Sequence, residues 1–576
     1  MSKVVLTGNE AIARGAYEYG LSFASAYPGT PSTEILENLA RCKDIYCEWS
    51  PNEKVAYEVA WGASVAGARS LVAMKHVGVN VAADPLMTSV YTGVGNGFIL
   101  VSADDPSMHS SQNEQDNRRF AFFAKMPCIE PSDSQEAKDF VGEAFAISEK
   151  FDIPVMLRVT TRICHSKSVV VLGERTDVPY KEYKRDFVKF CMLPTSARIR
   201  RIDLEKRLEA LKEFSNSYRF NKIEMRSAEM GIITAGIAYQ HSRDAFPEAS
   251  TLKIALSNPL PEKIIREFAG KVKKLYVVEE LEPYMEDQIK AMGITVIGKE
   301  VIPNIGELSS DVVRNAIEGK KVTHEIPEIP ARPPILCPGC SHRGFFTVAN
   351  KLKLVCLGDI GCYTLGAYEP LNAIDSCLCM GASISQAVGF SKAYKGAKQN
   401  KIVGIIGDST FVHSGIAPLI DAVYNKANVV ICILDNGTTA MTGHQEHPGT
   451  GRTLQGAETH KLDLAKLCEA IGVPHVRIVN PNDLKETEKV LKEELVYDGP
   501  SVILFRAPCI IKDRKAQKKP LKVIADKCPA CGLCFKIGCP AIIKDGEGKA
   551  VIDPILCVGC DICAQVCRMD AIVKTE

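Results

Sequence analysis

Residues 401–437 read KIVGIIGDSTFVHSGIAPLIDAVYNKANVVICILDNG, in which two apolar strands flank one helix. The strands cover 401–406 and 428–434, and apolar residues at Ile416 and three, four and seven positions later mark one face of the helix. A right-handed strand–helix–strand unit brings both strand ends to one edge of a parallel sheet, where α/β proteins bind ligands. The stretch therefore predicts an α/β fold with a ligand site at this edge.

Polar residues follow both strands at the predicted edge. Gly407, Asp408 and Ser409 follow the first strand, and Asn436 follows the second. Asp408 and Asn436, with the carbonyl of Thr438 nearby, suit an octahedral Mg²⁺ ion that also holds two phosphate oxygens, and Gly407 allows a diphosphate to approach. Aspartate and asparagine at strand ends are also common as helix caps, so the spacing alone leaves both interpretations open.

The first 165 residues alternate helical and strand patterns, which predicts a doubly wound parallel sheet covered on both faces. Its strands are expected at 21–27, 45–49, 71–74, 98–102 and 154–159. Thr30 and Pro31 are expected to cap and begin one helix. Asn52 opens another helix, whose first turn carries Glu53.

The rest of the chain divides at changes of composition. From 166 to about 225 it is charged and irregular, with one amphipathic helix at 198–214. Strand patterns at 231–239, 275–278 and 294–297 predict a smaller α/β domain that closes before the proline-rich segment EIPEIPARPP, 325–334. A third α/β unit precedes the lysine-rich tether IKDRKAQKKPLK. The predicted domains are 1–165, 166–330, 331–515 and 516–576.

Two runs of four cysteines mark the last domain. They are Cys528, Cys531, Cys534, Cys539 and then Cys557, Cys560, Cys563, Cys567. In such runs three thiolates surround one 4Fe-4S cluster, while the fourth cysteine reaches across to the other cluster. The spacing therefore predicts two crossed ligand sets, Cys528, Cys531, Cys534 with Cys567, and Cys557, Cys560, Cys563 with Cys539. The alternatives are zinc knuckles, which favour paired cysteines, and disulfides, which need an oxidising compartment.

Length and composition exclude some classes of protein. The chain has 576 residues, a formal net charge of +1 and 22 cysteines. This charge gives no reason to expect nucleic acid or an anionic membrane as a partner. No apolar run approaches the roughly 18 residues of a membrane-spanning helix, and the first residues lack a signal-peptide core. We therefore expect a cytoplasmic protein whose cysteines bind metal clusters in a reducing compartment.

Several segments resemble one family of enzymes. GDSTFVHSG at 407–415 and LDNGTTAMTGHQEHPGT at 434–450 resemble the Mg²⁺–thiamine diphosphate signature, although Ser409 and Asp435 replace its usual glycine and asparagine. YPGTPSTE, MKHVGVNVAADPL, SADDPSMHSSQNEQDNR, CPGCSHRG and the tail resemble the large subunits of the indolepyruvate ferredoxin oxidoreductases, in the 2-oxoacid:ferredoxin oxidoreductase superfamily. The resemblance implies, in chain order, a pyrimidine-binding thiamine diphosphate module, a transketolase C-terminal-like domain, a diphosphate- and Mg-binding module and a two-cluster ferredoxin-like domain.

Three residues of the first domain acquire catalytic roles by this resemblance. Glu53 would activate the coenzyme through a hydrogen bond to one ring nitrogen of its aminopyrimidine. The alternative is a first-turn glutamate that the helix dipole favours. Thr30 and His109 would face the reacting carbonyl or the pyrimidine, unless either is a helix cap or a satisfied polar residue.

Four more cysteines fit a pattern of related oxidoreductases, which hold a cluster near the coenzyme. In the same order along this chain they are Cys337, Cys340, Cys362 and Cys509. The match implies a third 4Fe-4S cluster. Structural zinc, with Cys377 or Cys379 as a competing ligand, and plain buried thiols remain the alternatives.

The resemblance also implies a reaction and its partners. Aryl 2-oxoacids, namely indolepyruvate, phenylpyruvate and 4-hydroxyphenylpyruvate, would be oxidatively decarboxylated with coenzyme A, through the thiamine ylid and single-electron transfer to the clusters. The products would be aryl-acetyl-CoA, CO₂ and reduced ferredoxin. A smaller beta subunit would supply a catalytic module that this chain lacks, in an alpha2beta2 assembly. Alternatives are pyruvate or 2-oxoglutarate as substrate, a non-oxidative decarboxylase, and an electron-transfer subunit with a vestigial thiamine site.

Overall fold

A computed structural model describes residues 2–320, 334–394 and 401–575. It divides the chain into two compact units, Met1–Pro327 and Glu328–Glu576. The proline-rich segment that we expect to separate two domains, 325–334, lies outside the described residues except for its last position. The four domain limits therefore stay predictions.

The first unit contains thirteen strands and fourteen α-helices within its described residues. In chain order these are β1 (Lys3–Thr7), α1 (Gly8–Glu18), β2 (Phe23–Ala26), α2 (Thr33–Leu39), β3 (Tyr46–Trp49), α3 (Glu53–Val65), β4 (Ser70–Lys75), α4 (His76–Val81), α5 (Ala83–Thr92), β5 (Phe98–Asp104), α6 (Arg118–Ala124), β6 (Cys128–Ile129), α7 (Ser134–Phe151), β7 (Val155–Thr160), α8 (Thr161–His165), β8 (Lys167–Val171), α9 (Phe187–Phe190), α10 (Pro194–Asn216), β9 (Lys222–Glu224), β10 (Met230–Ala235), α11 (Ile237–Ala245), β11 (Ser250–Ile254), β12 (Leu256–Asn258), α12 (Glu262–Ala269), β13 (Lys274–Val278), α13 (Tyr284–Ala291) and α14 (Ser310–Ile317).

The main sheet of this unit has seven strands in the order β12-β6-β7-β5-β4-β2-β3. Adjacent strands in this sheet are parallel, except for β12, which pairs antiparallel with β6 at one edge. Every residue of β5 and β7 is buried, as expected for strands that helices cover on both faces. The parallel α/β sheet predicted for the first 165 residues is confirmed.

A smaller sheet in the order β13-β10-β11-β9 follows, and β1 pairs antiparallel with β8. The strand expected at 275–278 is confirmed as β13. The strand expected at 231–239 is too long, because Gly236 has a φ of 55° and the chain turns there into α11. The strand expected at 294–297 is wrong, since only Ile297 bridges to Tyr276.

The chain turns after β2 in a way that the sequence does not indicate. α2 begins at Thr33 rather than Pro31, so the expected cap at Thr30 is wrong. Asn9 of α1 donates its side-chain Nδ2 to the Pro31 carbonyl at 2.6 Å, and Ser32 Oγ donates to the Gly29 carbonyl at 2.9 Å. These two bonds hold 30–32 as a turn before the helix begins.

The second unit contains ten strands and seven α-helices within its described residues. In chain order these are α15 (His342–Leu352), β14 (Val355–Gly358), β15 (Ser376–Cys377), α16 (Ala382–Ala393), β16 (Ile402–Gly407), α17 (Asp408–Thr410), α18 (Ile416–Tyr424), β17 (Val430–Asp435), α19 (Leu464–Ile471), β18 (His475–Val479), α20 (Leu484–Glu494), β19 (Ser501–Arg506), β20 (Leu521–Val523), β21 (Ile542–Lys544), β22 (Ala550–Ile552), α21 (Ile562–Val566) and β23 (Ile572–Lys574).

Its main sheet has six parallel strands in the order β15-β14-β16-β17-β19-β18. The strand–helix–strand unit predicted from 401–437 is confirmed as β16, α18 and β17. Between β16 and α18 lie the single turn α17 and a π-helical turn at Phe411–Gly415. Such π turns are frequent at functional sites.

The cysteine-rich tail forms two antiparallel strand pairs, β20 with β23 and β21 with β22. Its buried Ile537 and Ile562 belong to the same hydrophobic core as Phe345 and Phe346 of α15. The tail is therefore packed onto the sheet of the second unit. Among the described residues of the whole chain, no helix is long and apolar enough to cross a lipid bilayer.

Candidate functional site

The predicted phosphate-binding residues lie together at the carboxyl edge of the second unit's sheet. Asp408, directly after β16, is buried, and its Oδ2 accepts a hydrogen bond from the Gly437 backbone N–H at 2.8 Å. The Asn436 Oδ1 accepts one from the Thr438 N–H at 3.1 Å. The crossover thus brings the two side chains to neighbouring strand ends, as the sequence predicts. Their role as metal ligands stays a prediction.

Two buried histidines contact this pair and were missed in the sequence. His447 lies with its Nε2 3.1 Å from Asp408 Oδ2, the oxygen that also accepts the Gly437 N–H, and His342 Nε2 lies 3.4 Å from the Asn436 Nδ2. Burial lowers the pKa of His342 to about 4, so its imidazole is neutral at physiological pH and can accept the amide hydrogen. His447 lies in LDNGTTAMTGHQEHPGT and His342 lies in CPGCSHRG, so both belong to segments that carry the family resemblance, although no spacing rule distinguishes either histidine.

Gly407 also makes room for a side chain of its own unit, while its expected role of allowing a diphosphate to approach stays a prediction. A Cβ atom at this position would lie 2.7 Å from Cε1 of the Tyr363 ring, so the glycine makes room for that ring. The Tyr363 hydroxyl donates to Asp359, and the Ser383 N–H donates to the same carboxylate at 3.2 Å. Burial raises the pKa of Asp359 to about 6.

Four cysteines surround a cavity of about 100 Å³ at the same sheet edge. This sheet cavity is lined by Cys337, Cys340, Cys362 and Cys509. His342 and Asn436 also line it, so it adjoins the Asp408 pair. Burial raises the pKa of the Cys362 thiol to about 12, and the neighbouring Cys509 and Cys337 add to the rise. The two competing cysteines, Cys377 and Cys379, are exposed and do not line the cavity.

A second cavity, of about 20 Å³, lies in the tail. This tail cavity is lined by Cys539 together with Cys557, Cys560 and Cys563. Burial raises the pKa of the Cys534 thiol, and the neighbouring Cys528, Cys531 and Cys567 add to the rise. In each group the fourth cysteine comes from the other run, which is the crossed arrangement that the spacing predicts. Their binding of clusters stays a prediction.

Backbone amides point at two of these sulfur atoms. The Leu521 N–H donates to Cys557 Sγ and the Ala571 N–H to Cys567 Sγ, both at 3.4 Å. Such bonds tune the potential of sulfur-ligated clusters. Within the described ranges, no three His, Cys, Asp or Glu side chains are close enough together to hold a single metal ion.

One short segment forms a wall of both cavities. Cys337 and Cys340 line the sheet cavity, whereas Pro338 and Gly339 between them line the tail cavity. The buried Arg343 fixes this segment, because its guanidinium donates to the Leu336 carbonyl, to the Cys337 carbonyl at 3.2 Å and to the Ile537 carbonyl of the tail at 2.9 Å. The 337–340 segment therefore lies between the sheet cavity and the tail cavity.

The predicted activating glutamate lies at the carboxyl edge of the first unit's sheet. Asn52 caps α3 by accepting the Val55 N–H at 2.9 Å, and Glu53 occupies the first turn and is buried. Its side chain lies against α4, since a Cβ atom on Gly78 would be 2.7 Å from Glu53 Cγ and Oε1. The position agrees with the expected role, which stays a prediction.

Thr30 and His109 occupy loops at the same edge. Thr30 is half-buried in the turn that follows β2. His109 lies on the loop after β5 with about half of its side chain exposed, and its Nε2 is 3.5 Å from Glu307 Oε2. Glu307 also pairs with Arg162. His109 therefore contacts a carboxylate in this structure, and its expected role toward a substrate stays a prediction.

Comparison with known proteins agrees with this geometry. Residues 14–229 match the family model "Pyruvate flavodoxin/ferredoxin oxidoreductase, thiamine diP-bdg", and 359–505 match "Thiamine pyrophosphate enzyme, C-terminal TPP binding domain". The two matches contain Glu53 and the Asp408 pair, respectively. The presence of two thiamine diphosphate-binding domains is thereby confirmed.

Three full-length relatives are named indolepyruvate oxidoreductase subunit IorA. The protein of Archaeoglobus fulgidus is 43% identical, over 99% of this chain and 97% of its own. The proteins of Methanothermobacter marburgensis and Pyrococcus horikoshii are each 41% identical, over 99% and 100% of this chain and 97% of theirs. The chain therefore belongs to the IorA family of indolepyruvate oxidoreductase subunits, which are thiamine-diphosphate-dependent oxidoreductases.

Proposed function

We propose that the chain is the larger subunit of an enzyme that oxidatively decarboxylates aryl 2-oxoacids with coenzyme A and passes the electrons to ferredoxin. The expected substrates are indolepyruvate, phenylpyruvate and 4-hydroxyphenylpyruvate. Family membership supports the reaction type. The observation that carries the proposal is the 337–340 segment, which forms a wall of the sheet cavity beside Asp408 and of the tail cavity. Electrons released at the sheet edge would have only this segment to cross.

Asp408 and Asn436 would hold the Mg²⁺ ion and diphosphate of the coenzyme. A carboxylate and an amide oxygen suit Mg²⁺, which usually takes one or two protein ligands and completes its octahedron with phosphate and water oxygens. The hydroxyls of Ser409 and Thr439, 2.8 Å apart at the same edge, are further oxygen donors. When bound, thiamine diphosphate supplies the electron sink for loss of CO₂.

The missed histidines would position these ligands. His447 bonds one oxygen of the Asp408 carboxylate and so restricts its rotation. Neutral His342 accepts the Asn436 amide hydrogen, which turns the amide oxygen away from the imidazole. Bonds of this kind orient the groups that ligate a metal and are often as important as the ligands themselves.

Glu53 would hold or donate a proton at one ring nitrogen of the coenzyme. Its buried place in the first turn of α3 keeps water away from the carboxyl group. Gly78 supports the role, because its missing side chain leaves the space beside the carboxylate that a Cβ atom would occupy. In the expected arrangement Thr30 and His109 lie on neighbouring loops and face the substrate.

The cysteines would hold three 4Fe-4S clusters. The sheet cavity suits a cluster with Cys337, Cys340, Cys362 and Cys509 as ligands, since all four cysteines line it. The tail would hold one cluster in each crossed group of four. Clusters accept one electron at a time, so a chain of them suits a reaction that releases two electrons in turn.

The chain needs partners for this reaction. Each relative is named as one subunit of an oxidoreductase. We propose a smaller beta subunit, in an alpha2beta2 assembly, that supplies a further catalytic module. Coenzyme A would accept the acyl group, and a soluble ferredoxin would take the electrons from the tail.

The test is an anaerobic assay of the enzyme purified with its co-purifying subunit. Reduction of a viologen dye is followed with coenzyme A and a panel of 2-oxoacids that includes pyruvate and 2-oxoglutarate. We expect the three aryl pyruvates to give the highest kcat/KM. Thiamine diphosphate content is measured on the same sample.

A Glu53→Gln variant tests whether Glu53 activates the coenzyme. It keeps the side-chain size and is expected to retain thiamine diphosphate while kcat falls at least about 100-fold, the scale of a lost proton-transfer group. Two results would refute the proposal. One is dye reduction by Glu53→Gln at the wild-type rate, and the other is purified wild-type enzyme that contains no thiamine diphosphate. A preference for pyruvate would refute the substrate class only.

A further inference from the structure

Lys75 lies among the three predicted catalytic residues of the first unit. It is the last residue of β4, at the carboxyl edge of the sheet. A Cβ atom on Gly29, next to Thr30, would lie 3.1 Å from Lys75 Cβ. The Lys75 Nζ donates to the carbonyl of Ser110, next to His109, at 2.6 Å.

The link between Lys75 and the third predicted catalytic residue, Glu53, runs through Gly78. Gly78, three residues later, is the residue against which Glu53 packs. The segments that carry Thr30 and His109 therefore contact this lysine, and the helix that begins directly after it packs against Glu53. Nothing in composition or spacing singles this lysine out, because its position depends on the fold.

The Lys75 amine has bonding capacity that the described residues do not fill. An ammonium has three N–H donors, and the Ser110 carbonyl accepts one of them. No carboxylate of the described residues lies within the 4.0 Å of an ion pair with Nζ. Asp105 is the acid whose charge acts on Lys75, and its carboxylate oxygens already have partners. Its Oδ2 accepts the Ser110 N–H and the Ser111 hydroxyl, and its Oδ1 accepts the Thr161 hydroxyl.

Neighbouring cations at this edge are already neutralised. Arg162 pairs with Glu307, and His165 lies 3.8 Å from a Glu34 carboxylate oxygen. Burial lowers the pKa of Lys75 to about 8, which Asp105 partly opposes, so the amine still carries a proton near neutral pH. A half-buried cation without an ion-pair partner favours an anionic ligand, because pairing recovers the solvation that burial removes.

We propose that Lys75 binds the carboxylate of the 2-oxoacid substrate. This inference rests on the proposed function and names the group that recognises the acid end of the substrate class. Every 2-oxoacid carries this anion next to its reacting carbonyl, so its partner must lie beside the residues that face that carbonyl. Lys75 meets this requirement through Gly29, Ser110 and Gly78.

The test compares Lys75→Met and Lys75→Arg in the enzyme with its co-purifying subunit. Lys75→Met is expected to raise KM for phenylpyruvate about 10- to 100-fold, the range for loss of a charge-assisted hydrogen bond, with a smaller change in kcat. Lys75→Arg, which keeps the charge, should recover most of the loss. Lys212→Met, at an exposed lysine on α10, is the control and should leave KM unchanged.

A binding measurement separates recognition from catalysis. Calorimetry with 3-phenyllactate, which keeps the carboxylate, and with its neutral methyl ester uses ligands that undergo no decarboxylation. The wild type should prefer the acid, and Lys75→Met should lose that preference while binding the ester as before. Thiamine diphosphate content should not change in either variant.

Three outcomes would overturn the inference. In the first, Lys75→Met binds 3-phenyllactate as tightly as the wild type does. In the second, Lys75→Met loses the same amount of affinity for the acid and for its methyl ester. In the third, both Lys75 variants lose thiamine diphosphate. The last two would assign Lys75 a structural role. Failure of the proposed function is distinguishable, because it would appear as wild-type enzyme without thiamine diphosphate or without activity on any 2-oxoacid.

Discussion

At the scale of single residues, the first unit buries an unusual number of charges beside its main sheet. Arg118 lies 2.6 Å from Asp116 and 3.0 Å from Glu279, and Arg158 bonds Asp104 and Glu130 at 2.8 and 2.6 Å. Removing one partner from a buried pair costs about 3–5 kcal/mol, because the other charge is left without compensation. The buried acids outnumber the two arginines, so one acid of this cluster lacks an ion-pair partner among the described residues.

That acid is Glu280, which gives a pH-dependent prediction. Burial raises its folded-state pKa to about 7 from the ordinary value of 4.5, while Arg158 and a hydrogen bond from the Leu308 N–H oppose the rise. As the pH increases from about 4.5 to 7, the unfolded chain loses this proton before the folded chain does. The free energy of unfolding therefore falls across this interval and stays lower above it.

Glu280→Gln is expected to remove that cost, because the amide keeps an oxygen for the Leu308 N–H. The variant should be more stable than wild type by about 1–3 kcal/mol at pH 8 and nearly equal to it at pH 4.5. Thermal unfolding at both pH values under anaerobic conditions measures the difference. Equal melting temperatures of variant and wild type at pH 8 would contradict the raised pKa.

The residues that sequence reasoning found and missed differ in a physical way. Asp408, Asn436 and the cysteine groups were predictable, because motif spacing and strand ends determine where such side chains meet. His447 and Lys75 were not, since their importance comes from burial and from neighbours far away in the chain. Both lie in segments that carry the family resemblance, but residue type and local spacing do not distinguish them from their neighbours there.

At the scale of elements, long apolar strands were predictable and short ones were not. β5 and β16 are continuous buried runs, which a sequence displays directly. β12 has three residues, too few to show the alternation of apolar and polar residues that marks a strand. It joins the main sheet by pairing with β6. The turn at 30–32 depends on the Asn9 side chain of another helix, which local propensity cannot register.

The 337–340 segment gives a prediction at this scale. Gly339 has a φ of 68°, and a Cβ atom there would lie 2.0 Å from Val558 Cγ2 in the tail. Gly339→Ala should therefore destabilise the packing of the segment against the tail by about 1–3 kcal/mol through overpacking, in addition to backbone strain. Val558→Ala in the same chain should restore part of this loss, because it removes the clashing methyl group.

A double-mutant cycle on thermal stability measures the coupling between Gly339→Ala and Val558→Ala. As a second readout, EPR follows the reduction of the tail clusters by substrate. Gly548→Ala is the matched control, since Gly548 also has a positive φ, 78°, but its Cβ atom would approach other atoms no closer than 3.9 Å. Additive effects of Gly339→Ala and Val558→Ala would be evidence against close packing of the segment on the tail.

At the scale of the whole molecule, the thiamine-binding features are divided between two units. Glu53 belongs to the unit Met1–Pro327, whereas Asp408 and all twelve predicted cluster ligands belong to Glu328–Glu576. In the proposed arrangement the second unit would combine the diphosphate side of the coenzyme site with all three clusters. The first unit contributes the predicted activating glutamate and the proposed carboxylate partner.

Iron content tests the proposed electron route in the whole molecule. With three 4Fe-4S clusters the anaerobically purified chain should contain about 12 iron atoms, and Cys509→Ala should lower this toward about eight. Cys377→Ala, at an exposed cysteine outside the sheet cavity, should leave the content unchanged. A wild-type value near eight would mean that the sheet cavity holds no cluster.

The crossed cysteines of the tail have a consequence for how the molecule is made. Cys528, Cys531 and Cys534 are synthesised first, yet their fourth partner, Cys567, comes after every member of the other group. The group of Cys539, Cys557, Cys560 and Cys563 is therefore nested inside the first. A chain that ends between residues 563 and 567 would therefore contain every predicted ligand of the inner cluster but would lack one predicted ligand of the outer cluster.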